Sequence, residues 1–186
     1  MKTPVAFKEW AVIVDLIGRG DQILILRKGG IHEDRGGFQV EHRGFFLFPT
    51  LFHQQRESVL PFAQSRFDEI STEFSDPGTV NIQFWVDVVE THWLNVWNKV
   101  EKLQPCHPWT DKVIRDRFGW VEDEGIFAIA VRASRLAEPK PIPLLKEYGG
   151  CKSWVEIALP PVEVKAPVLS EHDFETKLKK VQACLA

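Results

Sequence analysis

Basic and aromatic side chains alternate in one segment of the chain, HPWTDKVIRDRFGW at residues 107–120. Trp109 lies near the start of the segment, and Arg115 and Arg117 follow it on a stretch with helical character. Guanidinium groups pair with phosphate oxygens, and an exposed indole can stack on a base. The segment therefore predicts a contact with nucleic acid. A helix that docks through its Trp and Phe and leaves its charges in solvent fits the same pattern.

A glycine-rich loop at residues 29–44 provides the second basic segment. Arg27, Lys28 and Arg35 lie beside or within it. The backbone N–H groups of such turns bind anions, although the loop lacks both the Rossmann glycine spacing and the Walker lysine. The same glycines also suit a tight turn with positive φ. The predicted nucleic-acid-binding residues are Arg27, Lys28, Arg35, Trp109, Arg115, Arg117 and Trp154.

Carboxylates and imidazoles suggest a competing chemistry. Glu9, His32, Glu33 and His53 would suit a metal-dependent nuclease or another hydrolase if they converged in space. No two of the histidines have the tight spacing of a zinc site, so neither a metal nor a cofactor is predicted. The sequence does not decide whether the protein is an enzyme.

Composition narrows the class of protein. The chain has 186 residues, of which 44% are apolar and 26% are charged, as expected for one globular domain. The net charge of −3 disfavours a protein that coats DNA through a uniformly basic surface. Three cysteines without paired spacing imply no disulfide framework. No apolar run approaches the length of a membrane span, so we expect no membrane partner and a cytoplasmic location.

Apolar periodicity outlines the elements that must position these residues. A three- and four-residue stripe from Phe7 to Ile17 predicts a first helix. Residues 138–143, EPKPIP, are expected to form a connector. Strands are predicted at 22–28, 45–50, 81–90, 125–136 and 154–159, and further helices at 53–70, at 111–118 and after Ser170.

Because these helices and strands mix without regular alternation, the predicted fold class is α+β. We expect a mainly antiparallel or mixed sheet, or a partly open barrel, with flanking helices and a C-terminal helix. Residues 1–165 would form a single domain, and residues 166–186 an amphipathic helix packed on it.

Four blocks of sequence together resemble a known bacterial family. They are AFKEWAVIVDLIGRGDQILILRKGGIHEDRGGF, FFLFPTLFHQ, HPWTDKVIRDRF and YGGCKSWVEI. They resemble the family catalogued as domain of unknown function 1802, and the likeness spans residues 5–160. The family has no established activity. Its occurrence with an Mrr-type restriction-endonuclease domain implies a part in restriction–modification and supplies no catalytic residues.

The leading hypothesis is therefore a nucleic-acid-binding or base-sensing module that is accessory to a restriction-type system. Its expected partners are DNA or RNA and a nuclease subunit. The alternatives are a metal-dependent nuclease or other hydrolase, and a protein-interaction domain that forms a homodimer. The deciding observation is whether residues 27–36 meet residues 107–120 and 148–154 in the folded chain.

Overall fold

A computed structural model of the protein describes residues 4–28, 42–51, 54–73, 78–119, 124–150 and 152–186. These residues contain seven strands and five helices. The strands are β1 (Val5–Trp10), β2 (Leu24–Arg27), β3 (Gly44–Thr50), β4 (Thr79–Leu94), β5 (Ile126–Pro143), β6 (Trp154–Glu156) and β7 (Val164–Pro167). The helices are α1 (Ala11–Gly18), α2 (Pro61–Glu73), α3 (Trp97–Glu101), α4 (Asp111–Phe118) and α5 (Glu171–Leu185).

The strands form one mixed sheet in the order β2-β5-β4-β3-β1-β6, and β7 pairs with β5. The pairing of β1 with β3 is parallel, whereas the other described pairings are antiparallel. The long strands β4 and β5 pair along nearly their whole length, with two register shifts. The sheet curls into a half-barrel, and helices flank it. The predicted α+β class with a mixed, partly open barrel and a C-terminal helix is confirmed.

Side chains of β1 alternate between two hydrophobic cores, as the two-residue period of a strand requires. Phe7 belongs to the main core, which also contains the apolar face of α1. Ala6 belongs to a smaller core on the other side of the sheet, together with Phe46 and Tyr148. Glu9 follows Phe7 on the same side of the strand and is buried. A carboxylate is thereby placed at the end of an otherwise apolar row.

The predicted first helix is wrong over residues 7–10, which belong to β1, and the helix proper begins at Ala11. β1 lies between β3 and β6, so its backbone is paired on both sides. The apolar residues of the strand and of α1 follow one another without a break, because both elements bury them in the same core. A continuous apolar stripe therefore concealed the change from strand to helix.

The predicted connector at 138–143 is also wrong, because these residues form the last third of β5. Pro141 pairs with Asn81, and Pro143 pairs with Thr79. On its other side, the described pairing of β5 with β7 ends at Leu136. Proline has no N–H to donate, so it is tolerated on the unpaired side of an edge.

Helix ends follow the local signals in the sequence. α2 starts with Pro61, a residue suited to the first turn, and follows a short 3₁₀ turn at Arg56–Ser58. α4 has the predicted bounds, and the N–H of Gly119 bonds the carbonyl of Arg115 at its end. α5 is capped by Ser170, whose hydroxyl accepts the N–H of Asp173. In the described part of the chain, every helix is too short or too polar to cross a membrane.

Candidate nucleic-acid interface at the barrel seam

The two end strands of the sheet, β2 and β6, approach each other where the half-barrel is open. The Nε and Nη2 atoms of Arg27, at the end of β2, donate to the Oγ atom of Ser153 at 3.0 and 2.8 Å. Ser153 immediately precedes β6, and its carbonyl accepts the N–H of Lys8 in β1. A side chain therefore bridges the two edges. We call this region, defined by Glu9, Arg27, Arg117 and Ser153, the barrel seam.

Arg117 joins helix α4 to the barrel seam. Its Nη1 atom donates to the carbonyl of Leu26 in β2 at 2.7 Å, and its Nη2 atom lies 3.8 Å from Oε1 of Glu9. The guanidinium carbon lies 5.1 Å from the ring centre of Trp10 and 4.8 Å from that of Trp109. The Arg117 side chain is 16% exposed. One cation thus contacts β1, β2 and two indoles.

Helix α4 is oriented by its apolar face. Ile114 and Phe118 are buried, and Arg117 lies three residues after Ile114 on the same side of the helix. An isolated β-bridge between Val59 and Trp109 fixes the chain just before the helix. These contacts point Arg117 toward the seam.

Lys28 adds a third cation beside Arg27 and Arg117. Its Nζ atom donates to the carbonyl of Phe118 at 2.7 Å, and the residue is buried. That carbonyl lies at the C-terminal end of α4, where backbone oxygens lack helical partners and carry partial negative charge. The residues 27–28 and the end of α4 are consequently fastened together.

Glu9 supplies the carboxylate of the barrel seam. Its Oε1 atom accepts the N–H of Trp10 at 2.8 Å, whereas its Oε2 atom is buried and has no hydrogen-bond partner in the part of the chain that the structure describes. Nearby, the Nε1 atom of the fully buried Trp109 is also without a partner. Buried polar atoms are normally hydrogen-bonded. The seam therefore holds an unused acceptor and an unused donor, each on a residue in contact with Arg117.

The seam and the adjacent Lys28 together carry net positive charge in the described residues, with Arg27, Lys28 and Arg117 set against Glu9. Burial lowers the pKa of Arg117 to about 10, Glu9 opposes this decrease, and Arg27 adds to it. Arg117 accordingly remains charged at neutral pH. The seam has the charge expected of a site for an anion.

Trp154, like Trp10, is a half-buried aromatic side chain of this region. Its ring packs edge-on against Phe7, Phe45 and His42, with centroid distances of 4.9, 4.8 and 4.9 Å. Trp109, by contrast, has no exposed surface. Its ring is held between Arg117 and His107, so it positions Arg117 and offers no face for a ligand to stack on.

The structure therefore brings parts of the three predicted segments together. Residues 27–28, 109–118 and 153–154 are joined by the contacts above. Arg115 is not among them, because its guanidinium lies 3.9 Å from the ring centre of Trp97 and 3.5 Å from Glu101. Two residues correspond to about 200° around a helix, so Arg115 and Arg117 lie on opposite sides of α4.

Four predicted residues lie outside the described part of the chain, namely His32, Glu33, Arg35 and His53. Of the residues predicted for a hydrolase, Glu9 alone is described. Within the described ranges, no group of three or more His, Cys, Asp or Glu side chains could hold a metal ion.

Sequence reasoning missed Ser153 and Trp10. Ser153 was hidden because a single serine before a short strand carries no pattern. Trp10 falls within the apolar stripe from Phe7 to Ile17 that predicts a helix. Its actual place at the end of β1 brings its ring to Arg117.

Comparison with known proteins extends these observations. The sequence profile of the family described as Domain of unknown function (DUF1802) matches residues 6–180. The chain belongs to this family. The predicted resemblance is confirmed, and the match includes every residue of the barrel seam. Among curated proteins, no sequence matches this DUF1802 chain significantly.

Two solved structures resemble the DUF1802 chain, and both are point mutants of the ZmASCH protein from Zymomonas mobilis. One carries a serine-to-alanine substitution and has a TM-score of 0.50, 9% identity and coverage of 95% of each chain. The other carries a tyrosine-to-phenylalanine substitution and has a TM-score of 0.47, 10% identity and coverage of 96% of this chain and 98% of that one. At this identity, the first likeness concerns the fold alone.

Proposed function

We propose that this DUF1802 protein binds nucleic acid at the barrel seam. The observation that carries the proposal is the convergence of Arg27, Lys28 and Arg117 from two separate segments onto one aromatic-lined region. Cations that are held in place by the fold lose little conformational entropy on binding a phosphate. The fold of the ZmASCH protein is compatible with this role and does not by itself support it.

Arg27 is the best placed phosphate ligand. Its side chain is partly exposed, and the Ser153 hydroxyl occupies its Nε and Nη2 atoms. A guanidinium has five N–H donors, so donors remain for a phosphate oxygen. Arg117 and Lys28 are mostly buried, so they would not contact the anion directly. Their positive charge would stabilise the anion from the protein interior.

The half-buried Trp154, which follows the Arg27 partner Ser153 in the chain, supports a base-sensing role. A nucleobase presents N–H donors and O or N acceptors along one edge. An unstacked base can be read by hydrogen bonds on that edge and by stacking on an aromatic ring. Trp154 would provide the stacking surface beside Arg27, whereas Glu9 and Trp109 are buried and would act on the ligand only by positioning Arg117.

The proposal includes a biological setting. The family resemblance supports a role as accessory module in a restriction-type system, with DNA or RNA as ligand and a nuclease subunit as partner. A strand captured at the seam would be presented to that subunit.

The test is fluorescence anisotropy with labelled single-stranded DNA, single-stranded RNA and duplex DNA of one sequence. We expect binding that weakens steeply between about 50 and about 200 mM salt, as counterion release requires. Arg27→Gln should weaken binding by roughly tenfold, equivalent to about 1.4 kcal/mol. The matched control, Arg115→Gln, changes an arginine outside the seam and should alter affinity by less than about twofold.

Two results would overturn the proposal. One is the absence of binding to all three probes at the lower salt concentration. The other is equal loss of affinity in the Arg27 and Arg115 variants, which would show that charge outside the seam accounts for binding.

A further inference from the structure

A cavity of about 170 Å³ lies away from the seam, between helix α5, the turn that joins α1 to β2, and the segment before α4. We call it the α5 cavity and define it by six of its lining residues: Leu16, Leu60, His107, Lys177, Lys180 and Val181. Its volume is close to that of an engineered cavity of about 150 Å³ that accepts benzene. The α5 cavity therefore has room for a compact ligand with a single ring.

Two lysines of α5 make one wall of the cavity basic. Lys177 and Lys180 are three residues apart and share a helix face. Their Nζ atoms donate to the carbonyls of Asp21 and Pro105, at 3.0 and 2.7 Å. An ammonium group has three donors, so each lysine retains two. Neither lysine forms an ion pair with a carboxylate of the described residues.

The acidic residue at this cavity is engaged elsewhere. Asp21 also lines the cavity, and its carboxylate lies 3.5 Å from the guanidinium of Arg19. Lys177 bonds the backbone carbonyl of Asp21 and not its carboxylate.

His107 gives the α5 cavity an unsatisfied polar group. The residue is 5% exposed, and its Nδ1 atom is buried without a hydrogen-bond partner among the described residues. Burial lowers the pKa of His107 to about 4, and the charge of Arg117 adds to the decrease. The imidazole is therefore neutral at physiological pH, and because the backbone of Trp109 takes one of its two hydrogen bonds, one ring nitrogen is left.

Apolar side chains complete the cavity. Leu16 and Val181 are buried, Leu60 is half-buried, and the Phe62 side chain, also in the lining, is 66% exposed. Ligand sites commonly combine such apolar walls with a few convergent polar groups. A ring would pack on the leucines and the valine, and Phe62 would cover it.

We infer that the α5 cavity is a binding site for a small aromatic acid. The acid group binds Lys177 and Lys180, and the ring occupies the apolar part beside His107. The site is separate from the barrel seam and does not depend on the proposed nucleic-acid binding.

Benzoate is the probe, and benzamide is its neutral isostere. The full chain is titrated with each while amide chemical shifts are recorded. We expect benzoate to shift amides of α5 and of residues 104–107, and to bind at least about tenfold more tightly than benzamide, a difference of about 1.4 kcal/mol. The double variant Lys177→Gln/Lys180→Gln should abolish this preference.

Lys179→Gln is the matched control, because Lys179 lies on α5 outside the cavity lining and 3.7 Å from Glu175. It should leave benzoate affinity within about twofold of the unsubstituted protein. The inference fails if benzoate and benzamide bind equally, if the double variant retains the preference, or if neither probe shifts these amides. Because benzoate and benzamide are compared on the unsubstituted protein, this comparison does not depend on the stability of the variants.

Discussion

The guanidinium of Arg117 lies 3.8 Å from the carboxylate of Glu9, and both groups are largely withdrawn from water. Removing two charges from water costs several kcal/mol per ion, and their attraction offsets this cost only when other hydrogen bonds help. Arg117 obtains such help from the carbonyl of Leu26, and Glu9 from the N–H of Trp10. Removing one partner of the pair should therefore lower the free energy of unfolding more than removing the charges of both partners does.

Arg117→Met should lower the free energy of unfolding by about 3–5 kcal/mol, because it leaves the Glu9 charge buried and alone. The double variant Glu9→Gln/Arg117→Met should be more stable than Arg117→Met. Urea unfolding of the single and double variants measures the coupling. Arg115→Met, at an exposed position of the same helix, should cost no more than about 0.5 kcal/mol. Equal stability of the single and double variants would contradict the coupling.

Stability should fall as pH decreases from about 6.5 toward about 4, because burial holds the pKa of His107 at about 4, below its ordinary 6.5. Between these two pH values, His107 is protonated in the unfolded chain and neutral in the folded chain, so protonation favours unfolding. The contribution of His107 is fully present above pH 6.5, and roughly 3 kcal/mol is lost by pH 4.

His107→Gln should flatten this part of the pH profile in urea unfolding. His172→Gln, which changes an exposed histidine on α5, should leave the profile as it is. An unchanged slope in the His107 variant would show that other groups produce the pH dependence.

Cys106 should react slowly with iodoacetamide at neutral pH. Burial raises the pKa of its thiol to about 11, and the neighbouring thiol of Cys184, with Sγ atoms 4.0 Å apart, contributes to the increase. Because the thiolate is the reactive species, alkylation should be about 10- to 100-fold slower in the folded chain than in urea. Mass spectrometry of the Cys106 peptide measures both rates. Equal alkylation rates in the folded and unfolded chains would contradict the raised pKa of Cys106.

Ser170→Ala should destabilise the protein by about 1 kcal/mol, because it removes an N-cap. The hydroxyl of Ser170 accepts the N–H of Asp173 at 3.1 Å and donates to the carboxylate of the same residue at 2.7 Å. Ser71→Ala, within helix α2, should cost nothing, since Ser71 is exposed and alanine is the better helix former. Thermal unfolding of the two variants gives the comparison, and equal effects would rule out a specific role for the cap.

The sequence by itself determined several local elements of this protein. The bounds of α4 and the Ser170 cap were predictable, because caps and apolar periodicity act over a few neighbouring residues. The mixed α+β class and the family also followed from the sequence. Arg27, Lys28 and Arg117 stood out by residue type.

Tertiary structure decided which of those residues meet. Whether residues 5–10 form a strand depends on pairing with β3 and β6, which lie far away in the chain. Arg115 and Arg117 are equivalent in sequence, and only the packing of Ile114 and Phe118 turns one toward the seam and the other toward Trp97. Long-range contacts of this kind depend on how the sheet curls, so no local pattern records them.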